Sequence, residues 1–212
     1  MTDKRNFVYS LFSVPVYVSK GNEIPKDVIS ALPGVEVVNI LADNGLMSKS
    51  KTILNQLPFN KLTPIITKQI EEYVYNFLSV DGSKLKIDIV RSWVVRHEKD
   101  HEGHTHSHNN SLFSGVFYLD VNGTSGDIQF HKAGHSHSHH LFLLDMKYRE
   151  RNVYNSDVAC FTPEDGDIFL FPSSTYHSIS KNIFDKHRYC LAFNVMMRGE
   201  YGDKELENYI IL

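Results

Sequence analysis

Three histidines and one arginine carry the chemistry available to this sequence. His106 and His108 stand two residues apart in the run His104-Thr105-His106-Ser107-His108, His177 lies in GDIFLFPSSTYHSI, and Arg188 lies in the stretch HRYCLAFNV. Side chains alternate between the two faces of a strand, so histidines at i and i+2 point the same way and can grip one ion twice. Imidazole suits iron, zinc, copper and nickel, and a third imidazole from a distant strand leaves positions open for substrate or dioxygen. His177 is the candidate for that third ligand. The spacing leaves the register open, since His104 with His106 is spaced like His106 with His108. Arg188 can hold a carboxylate by two parallel hydrogen bonds, with Arg91 and Arg96, on the preceding strand, as alternative clamps.

Such a site needs strands to position it, and the sequence supplies them. From Lys84 onward come KLKIDIVRSWVVRH, SLFSGVFYLDV, GDIQFHK, HLFLLDM, DVACFT, GDIFLFP, YHSIS and HRYCLAFNVMM. Short β-branched and aromatic runs bounded by Gly, Pro, Asn or Asp predict an antiparallel double-sheet barrel of jelly-roll type. The reading is one mainly β domain with flanking helices: accessory elements over 1–83, a cupin-like double-stranded β-helix core over 84–198 and a tail over 199–212. Within the accessory part, residues 7–18 predict an edge strand interrupted at Pro15. Thr63 predicts a helix cap with Pro64 at the first position, ahead of apolar residues at helical spacing from Ile65 to Leu78. Trp93, Phe113, Phe117, Phe130, Phe169 and Phe171 are expected in the core.

At 212 residues, 42% hydrophobic and 22% charged, the chain can build a core without staples. Its formal net charge of −3 gives no global reason to bind nucleic acid or an anionic membrane. Cys160 and Cys190 are too few for a disulfide framework and are expected to be buried. No stretch approaches the roughly 18 apolar residues of a membrane span, and MTDKRNFVYS lacks a signal peptide's apolar core, so the expected location is the cytoplasm. GxxxxGK[ST], GxGxxG and GxSxG are absent, which weakens nucleotide-binding and hydrolase readings.

Five pieces in order carry a resemblance: LFSVPVY, HSHNNSLFSGVFYL, SGDIQF, GDIFLFPSSTYH and RYCLAFN, spanning Leu11 to Asn194. The chain resembles the iron(II)- and 2-oxoglutarate-dependent oxygenases, specifically the small ones common in bacteriophages and marine bacteria. The resemblance implies iron(II) held by His106, His108 and His177, a pair it favours because of its distance from SGVFYL. It implies Arg188 on the distal carboxylate of 2-oxoglutarate and Tyr118 donating to the same group. Cys190 stands where many relatives have a serine, and a thiol is a poor donor. The superfamily's usual HxD or HxE is absent, so a histidine replaces the carboxylate and the bare site is one charge more positive. The implied activity is a dioxygenase, a hydroxylase in type, using O2 to couple oxidative decarboxylation of 2-oxoglutarate to oxidation of another substrate.

Two other readings keep the barrel: a cupin-type metal enzyme that does not use 2-oxoglutarate, and a non-catalytic metal-binding module. The primary substrate is open among a protein side chain, a small molecule and nucleic acid. A homodimer is compatible with the sequence, and no membrane partner is expected. The patch from His131 to His140 reads as a hydrophilic loop or as a lid over the barrel mouth. His97 and His101 are expected to be solvated.

Overall fold

The computed structural model describes residues 13–40, 45–121, 126–132 and 146–212. Two antiparallel sheets face each other. The strands in chain order are β1 (Tyr17–Ser19), β2 (Val37–Asn39), β3 (Leu46–Ser48), β4 (Leu85–His97), β5 (Gly103–His106), β6 (Phe113–Asp120), β7 (Ile128–His131), β8 (Val158–Phe161), β9 (Ile168–Pro172), β10 (His177–Ile179), β11 (Arg188–Tyr201) and β12 (Ile210–Ile211). The major sheet runs β1-β9-β6-β11-β4-β3-β2 with β12 on the end of β11, and the minor sheet runs β5-β10-β7-β8. This is the jelly-roll arrangement. The segment HLFLLDM falls largely outside the described residues.

The long β4 and β11 form the spine. Their register sets Arg188 opposite His97, Cys190 opposite Val95, Ala192 opposite Trp93 and Asn194 opposite Arg91. Alternation then sorts the side chains. Tyr189, Leu191, Phe193 and Val195 pack outward, in one apolar cluster with Ile66, Ile70 and Tyr73 of the accessory helix. Cys190 faces the barrel interior with Val116, Tyr118, Ile128, Phe130, Phe169 and Phe171. The accessory helix therefore covers the back of the major sheet and leaves its front to the site.

That helix differs from expectation at both ends. Helix α1 spans Lys26–Ala31 and α2 spans Thr63–Glu71, with Leu62 rather than Thr63 at the cap and no side-chain capping bond. Pro64 still occupies the first turn, where its missing N–H costs nothing. After Glu71 the helix widens into a π-turn, Glu72–Phe77. There Tyr73 reaches inward to donate to the Pro15 carbonyl at 3.0 Å and packs edge-on against Phe113. Of the edge strand expected over 7–18, only Tyr17 and Val18 fall in β1, which pairs with β9 at the sheet edge; residues 7–12 lie outside the described residues.

Two expectations of burial fail. Cys160 is exposed on β8, whereas Cys190 is buried; the edge position of β8 in the minor sheet leaves every one of its residues open. Trp93 is half-buried and lines a cavity rather than filling the core.

Candidate metal centre and cosubstrate pocket

The mouth of the barrel holds a cavity of about 470 Å³ between the sheets. His106, His108 and His177 stand together in it, their ligand nitrogens all within 4.8 Å of one another. His106 ends β5 and pairs directly with His177 of β10, so two imidazoles come from neighbouring strands. His108 lies beyond the end of β5, and its N–H is tied to the Ser173 carbonyl at 2.9 Å. The histidine pair thus spans a strand end rather than a continuous strand. His104 lies outside the cluster of three, its ring stacked on His106 at 4.8 Å.

The outer nitrogens decide what the inner ones can do. His106 Nδ1 donates to the His104 carbonyl at 2.9 Å, and His177 Nδ1 donates to the Thr175 carbonyl at 3.0 Å. His108 Nδ1 donates to Asn194 Oδ1 at 2.6 Å, within a small network that includes Ser114 and Ser173. A ring nitrogen that donates leaves the other with a lone pair. All three Nε2 atoms are therefore acceptors. His106 Nε2 and His108 Nε2 nevertheless sit 3.2 Å apart. Two lone pairs at that distance repel unless a cation lies between them, and adjacent ligands about 2.1 Å from one ion are spaced this way. The donor set fits a divalent transition metal with positions left open.

Electrostatics favour the same state. Burial, and then the neighbouring His106, pull His177 down to about 3. Burial also lowers His108, against the bond to Asn194 that raises it. Both rings are neutral at physiological pH, as ligands must be. No aspartate or glutamate lines the cavity among the described residues.

Arg188 is 1% exposed. It donates to the Gly126 carbonyl at 3.2 Å and bonds His97 Nδ1. Gly126 has φ +114°, and a Cβ there would meet Ser180 O at 2.4 Å and Arg188 Nη1 at 2.9 Å, so only glycine lets the guanidinium lie where it does. Tyr118 is fully buried on β6, opposite Cys190. Its hydroxyl has no hydrogen-bond partner among the described residues, and burial raises its pKa. An unsatisfied buried hydroxyl costs about 1–3 kcal/mol, a cost that an incoming carboxylate would relieve. Burial pushes the Cys190 thiol up to about 11, so it stays protonated and neutral.

His97 is not solvated. It is 3% exposed, lines the cavity and touches Arg188, and burial followed by Arg188 lowers it to about 3. Alternation along β4 carries the missed signal: His97 shares parity with Arg91, Trp93 and Val95, all of which line the cavity. Arg96 has the opposite parity and pairs with Glu98 at 2.9 Å, which removes it as a clamp for the cavity. His131 also has outward parity; it bonds Ser178 Oγ at 2.7 Å on the outer surface of the minor sheet, so it does not face the substrate space. His135, His137, His139 and His140 lie outside the described residues.

Residues 91–194 match the family model described as "Putative 2OG-Fe(II) oxygenase". No curated protein matches. Among solved structures, the fold is similar to the non-heme alpha ketoglutarate dependent epimerase SnoN from nogalamycin biosynthesis (14% identity, TM-score 0.60, 92% of this chain and 83% of that one). It is similar also to HygX from Streptomyces hygroscopicus with nickel, 2-oxoglutarate and hygromycin B bound (15%, 0.57, 86% and 82%). A third is a Pseudomonas putida prolyl-4-hydroxylase (12%, 0.54, 89% and 96%). The matched segment contains His106, His108, His177 and Arg188, and over it the chain is similar to the iron(II)- and 2-oxoglutarate-dependent oxygenases.

Proposed function

We propose that His106, His108 and His177 hold iron(II), that Arg188 and Tyr118 hold the distal carboxylate of 2-oxoglutarate, and that the enzyme hydroxylates a peptide side chain or a small organic molecule. The observation that carries the metal assignment is the convergence of three Nε2 lone pairs whose Nδ1 partners all accept hydrogen bonds. Iron bound there supplies the redox chemistry that couples dioxygen and 2-oxoglutarate decarboxylation to substrate oxidation.

The chain's own residues do the rest. Asn194 and the carbonyls of His104 and Thr175 orient the three rings. Arg188 supplies a buried positive charge, and the Tyr118 hydroxyl adds a donor beside it, where low polarity strengthens both. Val116, Ile128, Phe171 and Ile179 wall the cavity and limit water. The similar structures support both substrate classes: HygX holds hygromycin B, and a prolyl hydroxylase from Trichoplax adhaerens holds a peptide fragment.

Anaerobic titration of the iron(II)-loaded protein with 2-oxoglutarate tests this assignment through the visible charge-transfer band of the chelate. The band should form in the parent, vanish in His106→Ala and need far more cosubstrate in Arg188→Met. A band that survives loss of His106, or an unchanged titration in Arg188→Met, refutes the corresponding role.

A further inference from the structure

The cavity has cations at two places. At one end the buried Arg188 lies behind the lining, bonded to the neutral His97, and at the other Arg91 and Lys51 line the wall. The strand pairing separates the two: Arg91 faces Asn194, six residues from Arg188, or about 20 Å along the strand. A carboxylate held by Arg188 is therefore not also held by Arg91.

Lys51 is placed beside Arg91 by the backbone. Its carbonyl accepts from Ser92 N–H at 2.8 Å, and its ammonium donates to the Ser48 carbonyl at 2.7 Å. Burial, then the nearby Arg91, hold the lysine below its ordinary pKa. Arg91 makes no ion pair or side-chain hydrogen bond among the described residues. No carboxylate lines the cavity beside them, and Arg91 is exposed, so the two cations are open to an arriving anion. Beside the cations lie the apolar side chains of Met47, whose sulfur contacts the Lys51 ammonium, and Trp93, whose ring is 5.9 Å from that of His108.

We propose that this end is the primary-substrate subsite and that it takes an organic anion: a carboxylate or phosphate engages Arg91 and Lys51 while an apolar body lies on Trp93, next to the three histidines. The proposal rests on the metal and cosubstrate assignment above and adds the substrate's chemical class. Arg91 provides a bidentate fork and Lys51 a point charge, a combination suited to either anion.

Trp93 is the chain's one tryptophan, so its fluorescence reports on this wall alone. The protein is loaded with zinc in place of iron, which prevents turnover, and saturated with 2-oxoglutarate, which fills the Arg188 end. It is then titrated with 3-phenylpropionate, 3-phenylpropanamide and phenyl phosphate. The acid or the phosphate should bind about tenfold or more tightly than the amide, the size of a charge-assisted contact, and the tighter of the two names the group. Arg91→Gln and Lys51→Gln should each remove most of that preference and leave amide binding unchanged. Cosubstrate affinity should stay within twofold in both. Equal binding of acid and amide, or a preference that survives both substitutions, overturns the subsite and leaves the metal reading standing. Loss of 2-oxoglutarate binding in Arg91→Gln with retention in Arg188→Met overturns the cosubstrate assignment, and this proposal with it.

Discussion

Asn194 tests whether the metal site depends on the shell behind its ligands. It is 7% exposed, and its Oδ1 accepts from His108 Nδ1 at 2.6 Å, holding the ring in the tautomer that presents Nε2 to the cavity. Asn194→Leu keeps the branched shape of the side chain and removes the acceptor. A buried donor left unmade costs about 1–3 kcal/mol. Ser114 Oγ lies 3.0 Å from the same nitrogen and can accept in its place, which sets the cost near the lower end. A loss of about 1.4 kcal/mol is tenfold in metal affinity, within the 10–100-fold range typical of groups that orient metal ligands. Asn194→Asp should act in the opposite sense. A carboxylate accepts more strongly than an amide, raises the basicity of His108 and adds a negative charge to a cavity lined by none. Anaerobic competition against a chromophoric chelator, with iron(II) and with cobalt(II), measures both variants. Equal affinities in parent and Asn194→Leu would show that His108 is held by packing alone. A shift of both variants in the same direction would contradict the charge argument.

Three further outcomes follow from the same geometry. His104→Ala should leave metal affinity within about threefold, whereas His108→Ala should remove tight binding, because only the latter ring belongs to the cluster; chelator competition separates the registers, and the reverse order would exchange them. Metal-free protein should lose stability as pH falls from 6.5 toward 3. His97 and His177 have folded pKa values of about 3 against 6.5 when free, so the unfolded chain takes up protons that the native chain refuses, at about 1.4 kcal/mol per pH unit for each ring. Urea midpoints at pH 7 and 5.5 measure the slope, and His97→Gln should flatten it; equal midpoints in the parent would mean the rings are not buried neutral. Gly126→Ala should destabilise the fold by about 1–3 kcal/mol and weaken 2-oxoglutarate binding together, since the new Cβ meets both Ser180 O and the Arg188 guanidinium; thermal unfolding with a cosubstrate titration detects the pair of effects, and unchanged cosubstrate affinity would detach Gly126 from Arg188.

The jelly roll was legible because its strands alternate, and alternation is written in the residues themselves. The same rule places Arg188, Cys190, Ala192 and Asn194 on one face of β11 and sends Arg96 to the other face of β4. What stayed hidden depended on partners distant in sequence. Asn194 is one amide until the β11 register sets it beside His108, 86 positions earlier. His97 looks like part of a polar surface run, and becomes a cavity residue only when the end of β4 is roofed by Gly45, whose missing Cβ leaves room for the ring. Trp93 was misplaced in the core for a related reason: inward parity on a barrel strand means interior, but this interior holds a cavity beside the metal cluster. The helix cap was misread because Leu62 is still helical in its backbone angles, so Thr63 is already inside the first turn.

Exchanging a carboxylate for an imidazole changes where charge is neutralised in this site. Three imidazoles contribute nothing negative, and the described cavity lining contains no acid to make up the difference. A divalent ion among them keeps its full charge, with Arg188 positive beyond it and Arg91 and Lys51 positive at the mouth. The dianionic cosubstrate is what relieves the inner end, and by linkage it must tighten the metal by the same factor that the metal tightens it. Under the proposed ligand set, retention of the metal is tied to the supply of 2-oxoglutarate. The outer pair is left over after that neutralisation, since Arg188 engages the distal carboxylate of the cosubstrate. An anionic substrate completes the charge balance, so the missing carboxylate at the metal and the cations at the mouth belong to one electrostatic arrangement.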